Sequence, residues 1–197
     1  MANINKNSLY FHLLTEDYFN TYKNLDEFQE DVARGHGVMI LDIKNLLIAI
    51  PLRLGISANL RNARHIFPYV MYERNDGRQC LKALDFSKLT IIERKHIDYL
   101  RIYHFSDIEE KKFYLKNSNR IFTRVKNYVQ TYINICSKIE LEKPITKRTL
   151  QPYQYSTLRN FHSELGISIS KEKFISQLKN HSIKYLILDA FSFIFKR

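Results

Sequence analysis

Apolar residues run almost without a break through two neighbouring stretches in the first third of the chain. Val38 to Ile43 and Leu46 to Leu52 are rich in Val, Ile and Leu, and only the polar pair Lys44-Asn45 separates them. Short apolar runs on either side of a two-residue turn are typical of a β-hairpin. Because nearly every position is apolar, rather than every second one, the pattern predicts a hairpin that is buried on both faces.

The remaining pattern of the first half is also rich in strands. It predicts about six strands over residues 1–106, joined by connections too short for parallel crossovers, and therefore an antiparallel, strongly curved sheet or partial barrel. Thr15 is a good N-cap for a helix that extends to about Lys23, and a second short helix is expected over Leu25 to Ala33. The other predicted strands are Leu9–Leu14, Phe67–Tyr72, the end of Phe86–Ile92, and Ile97–Phe105.

The second half has the periodicity of helices. Apolar residues recur at helical spacing from Arg120 to Ile139, and a shorter, charged helix is expected over Asp107 to Lys116. Ser156 and Ser170 are expected to cap two further helices. Lys143 to Tyr155 is predicted to be a loop, and Ile183 to Phe195 fits a helix or a strand equally well. The expected fold is α+β: one domain over residues 1–197, with a strand-rich core (1–106) surrounded by helices and a helical part (107–197).

The character of the chain changes abruptly after Pro51-Leu52, where the apolar run is expected to end in a loop. The next thirteen residues contain cations and hydrogen-bonding side chains and no acidic residue. A strand that delivers such a loop to one place is expected to bind phosphates. Arg34 and His36 precede the hairpin, and the ends of an antiparallel pair bring both segments to the same edge. The polar residues after the hairpin are Arg53, Ser57, Asn59, Arg61, Asn62, Arg64 and His65.

The overall charge favours an anionic partner. The 197 residues include 31 Lys and Arg against 20 Asp and Glu, a net charge of +11, with an isoelectric point near 9.6. Nucleic acid is the first expectation and a membrane surface the second, against the simpler alternative of a merely basic protein. No run approaches the roughly 20 apolar residues of a membrane span, no signal peptide is evident, and the two cysteines are expected to be free thiols. We therefore expect a cytoplasmic protein.

Ribonuclease chemistry without a metal needs only the residue types found around the hairpin. The 2′-hydroxyl of the RNA is the nucleophile, and the protein must remove its proton, protonate the leaving 5′-oxygen and offset the phosphate charge. Metal-dependent nucleases need clustered carboxylates, which this region lacks, so no metal and no cofactor is expected. The sequence does not assign the general acid or the general base. The candidate catalytic residues are Arg53, Arg34, His36, Ser57, Asn59 and His65.

Basic residues outside the hairpin are candidates for contacts with RNA phosphates. They lie in the loop after the hairpin, on the far face of the predicted long helix and in the loop that contains Lys147, so a continuous groove would have to gather them in space. Tyr153 and Tyr155 could stack on unpaired bases, or could simply pack against the following helix. The expected phosphate contacts are Arg61, Arg64, Arg120, Arg124, Lys126, Lys147 and Arg148.

Several motifs resemble the toxin subunits of type III toxin–antitoxin systems, the ToxN, AbiQ and TenpN group, and TenpN most of all. They cover roughly Leu9 to Ile139, and the hairpin with its PLR end is the most specific part. LRNFHSELGI, at Leu158 to Ile167, is similar to the C-terminal region of TenpN toxins. The motifs in the first part are LYFHLLTEDYFNTY, GVMILDI-KN-LLIAIPLR and FSKLTII.

The resemblance implies a metal-independent endoribonuclease on a twisted, barrel-like sheet. Such toxins leave 2′,3′-cyclic phosphate and 5′-hydroxyl ends, and are inhibited by a repeated pseudoknot RNA that they process and that forms a hetero-oligomer with them. Cellular or phage RNA would be the substrate, and phage defence by abortive infection the biological role. Arg53 matches the family's post-PL position and Arg34 its upstream cation, but Arg53-Leu54-Gly55 replaces the polar residues and lysines that follow PL in ToxN.

Two other functional classes fit the same residues. A non-catalytic RNA-binding protein could use the same basic loop, and composition cannot separate it from a nuclease. A DNA-binding protein would need a cationic recognition helix after a short turn. The helix that begins near Arg120 has no convincing partner helix, so the DNA-binding class ranks last.

Overall fold

A computed structural model of the protein describes residues 10–28 and 37–180. In this part of the chain, seven strands form one sheet in which every pairing is antiparallel. The path β4-β5-β3-β2-β1-β7 does not close, and β6 pairs with β3 beside it. The strands are β1 Tyr10–Leu14, β2 Val38–Ile43, β3 Leu46–Ser57, β4 Ile66–Glu73, β5 Gln79–Asp85, β6 Thr90–Ile92 and β7 Ile97–Ile102.

Five helices accompany the sheet in the described residues, so the predicted α+β fold with a helical C-terminal part is confirmed. The antiparallel sheet is open rather than closed into a barrel. The helices are α1 Glu16–Tyr22, α2 Ile108–Lys116, α3 Ser118–Glu140, α4 Lys147–Leu150 and α5 at residues 171–180. Within residues 10–28 and 37–180, none of these is both long and apolar enough to cross a membrane.

The hairpin of β2 and β3 is buried on both faces, as predicted. Its alternate side chains enter two different hydrophobic clusters, because successive residues of a strand point to opposite faces. Met39 and Ile48 join the larger cluster, which also contains the inward face of α3. Val38 and Leu47 join the smaller one, against which α1 packs. The larger cluster includes residues from both the strand-rich half and the helical half of the chain.

Strand β3 is longer than predicted and joins two parts of the sheet. The strand does not end at Leu52 but continues to Ser57. Its first half pairs with β2 and β6, whereas its second half pairs with β5. The pairing with β5 shifts between Arg53 and Ile56, where Gly55 has a φ of +76°. A bulge with glycine in this conformation lets the strand bend and continue after the apolar run has ended.

The helical predictions are confirmed for the longer elements and wrong for some short ones. The caps at Thr15 and Ser170 are present, since each side-chain oxygen accepts a backbone N–H three residues later. Residues 25–28 form turns rather than the start of a helix, and residues 29–33 lie outside the described part. The segment that follows Ser156 makes only a 3₁₀ turn, Thr157–Asn160, before the chain turns away.

The predicted loop from Lys143 to Tyr155 contains helical structure. Thr146 caps α4 by accepting the N–H of Thr149 at 3.3 Å, and a 3₁₀ turn over Gln151–Tyr153 follows directly. Pro152 fits this turn because its fixed φ suits the first positions of a helix. The segment from Ile183 to Phe195 lies outside the described residues.

Candidate functional site

The register of the sheet brings three distant segments together. Arg53 of β3 lies opposite Ala83 of β5, and Asp85 is two residues further along β5. Residues two apart in a strand share a face, so the side chains of Arg53 and Asp85 meet diagonally. On the other side of β5, Ile66 pairs with Asp85, and the N–H of Phe86 donates to the carbonyl of His65 at 2.8 Å. The end of β5 is therefore flanked by Arg53 on one side and by His65, the residue before β4, on the other.

Asp85 is a buried carboxylate whose hydrogen-bonding capacity is well used. It is 2% exposed, and its Oδ2 accepts a hydrogen bond from Nη1 of Arg53. Oδ1 accepts the backbone N–H of Ser87 at 2.9 Å and its hydroxyl at 2.6 Å. Such a carboxylate holds the Arg53 guanidinium in a fixed position, which is what charge stabilisation on a phosphate requires.

His65 lies beside this ion pair in an environment that favours its neutral form. Burial lowers its pKa from the ordinary 6.5, the charge of Asp85 raises it, and that of Arg124 lowers it again. Nδ1 is buried and has no hydrogen-bond partner among the described residues. A neutral imidazole at pH 7 can accept a proton, so His65 is suited to act as a base.

These residues line one cavity of about 340 Å³, which we call the cleft. Ser57, the last residue of β3, lies at its exposed side, and Pro152 and Tyr155 of the C-terminal part complete the wall. The cleft therefore combines a cation, an imidazole and a hydroxyl. Its lining includes Arg53, Ser57, His65, Asp85, Lys88, Glu27, Pro152 and Tyr155.

A second ion-pair cluster lies at the cleft around Glu27. Oε2 of Glu27 accepts a hydrogen bond from Lys88 at 2.8 Å, and Oε1 lies 3.2 Å from Nη2 of Arg159. Lys88 also donates to the backbone carbonyls of Glu27 and Tyr155, at 3.2 Å and 3.1 Å. Both carboxylates of the cleft, Asp85 and Glu27, are therefore already paired with cations.

A larger cavity of about 820 Å³, which we call the groove, lies between α3, α4 and the segment after β3. Five arginines line it, and its described lining contains no acidic residue. Pro152 lines both the groove and the cleft, so the two are neighbours. A polyanion lying along the groove would meet a continuous positive surface. The arginines are Arg61, Arg64, Arg120, Arg124 and Arg148.

One of these arginines also positions the segment that carries His65. Nη2 of Arg124 lies within hydrogen-bonding distance of the carbonyls of Ala63, Arg64 and Ile66, at 3.2, 3.0 and 2.8 Å. Its guanidinium stands over the rings of Phe67 and Phe86, at 5.2 and 5.6 Å from their centroids. Because Nη2 of Arg124 is engaged by these three carbonyls, the main role of Arg124 is to hold residues 63–66 in place.

Several predicted residues do not enter either cavity. Asn59 and Lys126 are exposed but line neither the cleft nor the groove. Lys147 lines a third depression near α5, which adjoins the cleft and shares Glu27 and Tyr155 with it. Tyr153 does border the groove, but it is only 3% exposed, and its ring stacks on that of Tyr128 with centroids 4.6 Å apart, so the ring packs in the core rather than being presented to a base. Tyr155 is 60% exposed beside the cleft. Arg34 and His36 lie outside the described residues.

The acidic partners in the site, Asp85 and Glu27, were not predictable from the local sequence pattern. Asp85 follows an apolar run and resembles an ordinary end of a strand. The only local signal was Ser87, whose backbone N–H closes an Asx turn on Asp85 and whose hydroxyl donates to the same carboxylate oxygen. Glu27 and Lys88 are 61 residues apart and meet only in the fold. In the described part of the chain, no group of three or more His, Cys, Asp or Glu is placed to hold a metal.

Neither the protein-family models, nor the curated proteins, nor the solved structures contain a match to this chain.

Proposed function

We propose that the protein is a metal-independent endoribonuclease. The observation that carries this proposal is that Arg53, Ser57 and His65, predicted as catalytic from separate positions, line one cleft beside a groove walled by five arginines. The groove would bind the RNA backbone, and the cleft would receive the phosphate to be cleaved.

The proposed reaction uses the RNA's own nucleophile. His65 takes the proton of the 2′-hydroxyl, and the 2′-oxygen attacks the adjacent phosphorus. The bond from phosphorus to the 5′-oxygen breaks, and that oxygen takes a proton from water. Arg53, held by Asp85, offsets the charge that develops on the phosphate, and Ser57 donates a hydrogen bond to it. The products carry a 2′,3′-cyclic phosphate and a 5′-hydroxyl.

The lining of the cleft supports a mechanism without a metal ion. Asp85 is bonded to Arg53 and Ser87, and Glu27 is bonded to Lys88 and Arg159, so a divalent cation would have to compete with cations that are already in place. We expect purified protein to cleave single-stranded RNA at an undiminished rate in EDTA. Loss of cleavage in EDTA that Mg²⁺ restores would contradict this mechanism, and mass spectrometry of the new ends would test the product assignment.

We also propose that the natural context is a type III toxin–antitoxin system, on the strength of the hairpin-plus-PLR motif at Gly37 to Arg53. The inhibitor would be a structured repeat RNA that fills the groove and covers the cleft. Sequencing of the nucleic acid that co-purifies with the expressed protein tests this directly. A short, repeat-derived RNA is expected, whereas random cellular RNA would argue against a dedicated inhibitor.

The second candidate function, RNA binding without cleavage, is favoured by one observation. The Arg53 guanidinium is already paired with Asp85, which reduces the charge that it offers to a phosphate. A purified protein that binds RNA in EDTA but leaves it intact over hours, in the presence or absence of Mg²⁺, would establish this alternative.

A further inference from the structure

We propose that the Lys88–Arg159 pair is a binding subsite for a phosphate of the RNA strand, and that the Glu27 carboxylate occupies it in the free protein. This inference rests on the proposed function, since it assigns a second phosphate position in the same cleft. The proposed reaction does not use the ion-pair cluster around Glu27.

The geometry around Glu27 is that of an anion site. Two cations from different turns converge on one carboxylate, and each binds a different oxygen: Lys88 at 2.8 Å and Arg159 at 3.2 Å. A phosphodiester presents two non-bridging oxygens in the same way. Both cations are largely buried, with side-chain exposures of 14% and 8%, so the subsite is shaped by the fold rather than by mobile surface side chains.

The subsite borders the cavity that contains Arg53 and His65. Glu27 and Lys88 line the cleft together with Arg53 and His65. Lys88 also belongs to the 3₁₀ turn Phe86–Lys88 that directly follows Asp85, the partner of Arg53. Arg159 lines the adjoining depression, and Glu27 belongs to the walls of both cavities. A strand whose scissile phosphate meets Arg53 therefore has a second cation, Lys88, within the same cavity, and Arg159 lies directly behind Glu27.

Glu27 is held in a way that allows it to leave. Its side chain is 28% exposed, so the carboxylate borders solvent. The turn at residues 25–28 is anchored independently of Glu27, because the Phe28 ring packs against Tyr18 and Tyr22, and Asp26 forms an ion pair with Lys171 at 2.9 Å. Rotation of the Glu27 side chain alone would therefore open the subsite without moving the chain around it.

The test measures binding of a 2′-O-methyl RNA oligonucleotide, which cannot be cleaved because its 2′-oxygen is blocked. Glu27→Gln keeps the size and an acceptor for Lys88 but removes the charge. We expect its dissociation constant to fall about two- to five-fold, the scale of one partly exposed ion pair. The slope of log affinity against log salt should become steeper by about 0.7, the contribution of one additional phosphate on a single strand.

Two further variants exclude a general effect of charge. Glu16→Gln neutralises an exposed glutamate of α1 that lines neither cavity, and it should change affinity and slope much less. Lys88→Met should weaken binding more in the Glu27→Gln background than in the wild type, because the wild-type lysine is already engaged. Arg159 is not varied, since it also donates to the carbonyls of Ser156 and Gln154.

The outcomes are distinguishable from those of the proposed function. If the wild type cleaves RNA in EDTA but Glu27→Gln, with an unchanged melting temperature, binds no more tightly than Glu16→Gln, the subsite is refuted and the nuclease stands. If Glu27→Gln melts lower, the Lys88→Met comparison decides, and equal losses of affinity in both backgrounds overturn the proposal. A wild type that neither binds nor cleaves RNA overturns both.

Discussion

Replacement of Arg53 by alanine should lower the stability of the fold and the rate of RNA cleavage for two separate reasons. The substitution leaves the Asp85 carboxylate, whose side chain is 3% exposed, without its cation. Removal of one partner from a buried ion pair costs about 3–5 kcal/mol. Arg53 itself is 25% exposed, and Ser87 still donates two hydrogen bonds to Asp85, so we place the loss at the low end, about 3 kcal/mol. In a protein of this size this lowers the melting temperature by roughly 6–12 °C.

A second substitution separates the two roles of Arg53. Asp85→Asn removes the buried charge and keeps Oδ1 as the acceptor for Ser87. The Arg53→Ala/Asp85→Asn double variant should therefore recover about 2 kcal/mol of the lost free energy of unfolding. Cleavage should not recover, because no cation remains to offset the phosphate charge. The two measurements are urea denaturation and the initial rate on a single-stranded RNA in EDTA.

Either of two results would refute this reasoning about Arg53. An Arg53→Ala protein with wild-type stability would mean that the ion pair with Asp85 contributes nothing to the fold. A double variant that is stable and cleaves RNA at the wild-type rate would mean that Arg53 serves only to neutralise Asp85. The single variant Asp85→Asn is the matched control, since it keeps Arg53 but releases it from its partner.

Two further predictions concern acid–base chemistry and the groove. Burial is the largest cause of the lowered pKa of His65, so its neutral form should persist below pH 6.5 and the acid limb of the kcat/KM profile should lie below that pH. An acid limb above pH 6.5, or an acid limb that survives in the His65→Asn variant, would exclude His65 as the base. Arg148→Ala should reduce the slope of log RNA affinity against log salt by about 0.7 per lost phosphate contact. Lys126→Ala makes the same charge change outside the groove and should leave the slope unchanged. Equal effects of the two substitutions would show that total charge, and not the groove, governs binding.

The sequence predicted the long elements of the fold because their patterns are local. The doubly buried hairpin and the helix α3 follow from runs of apolar residues at fixed spacing, and the caps at Thr15 and Ser170 follow from single side chains. The extension of β3 to Ser57 was not predictable in this way. Past Leu52 the strand is only half buried and contains a bulge at Gly55, so its strand character depends on pairing with β5.

The site was predictable as a set of residue types but not as a set of contacts. The cations around the hairpin were visible, and Arg53, Ser57 and His65 do line one cleft. Their partners come from far along the chain: Asp85 is 32 residues from Arg53, and Arg124 is 58 residues from the nearest carbonyl that it binds. Periodicity carries no information at such separations. The same limit explains why Tyr153, which packs against Tyr128, was a candidate for stacking on bases.

The assembly of the cleft from remote segments has a consequence for the order of events on the ribosome. The hairpin that ends at Ser57 is complete early, but the walls of the cleft extend to Tyr155. At about 5–20 residues per second, the ribosome needs roughly 5–20 s to make the intervening stretch, and residues still inside the exit tunnel cannot yet pack. The nascent chain therefore carries Arg53 without a closed site around it. If the protein cleaves RNA as proposed, a copy becomes able to do so only after Tyr155 has left the exit tunnel, well after its own Arg53 has been made.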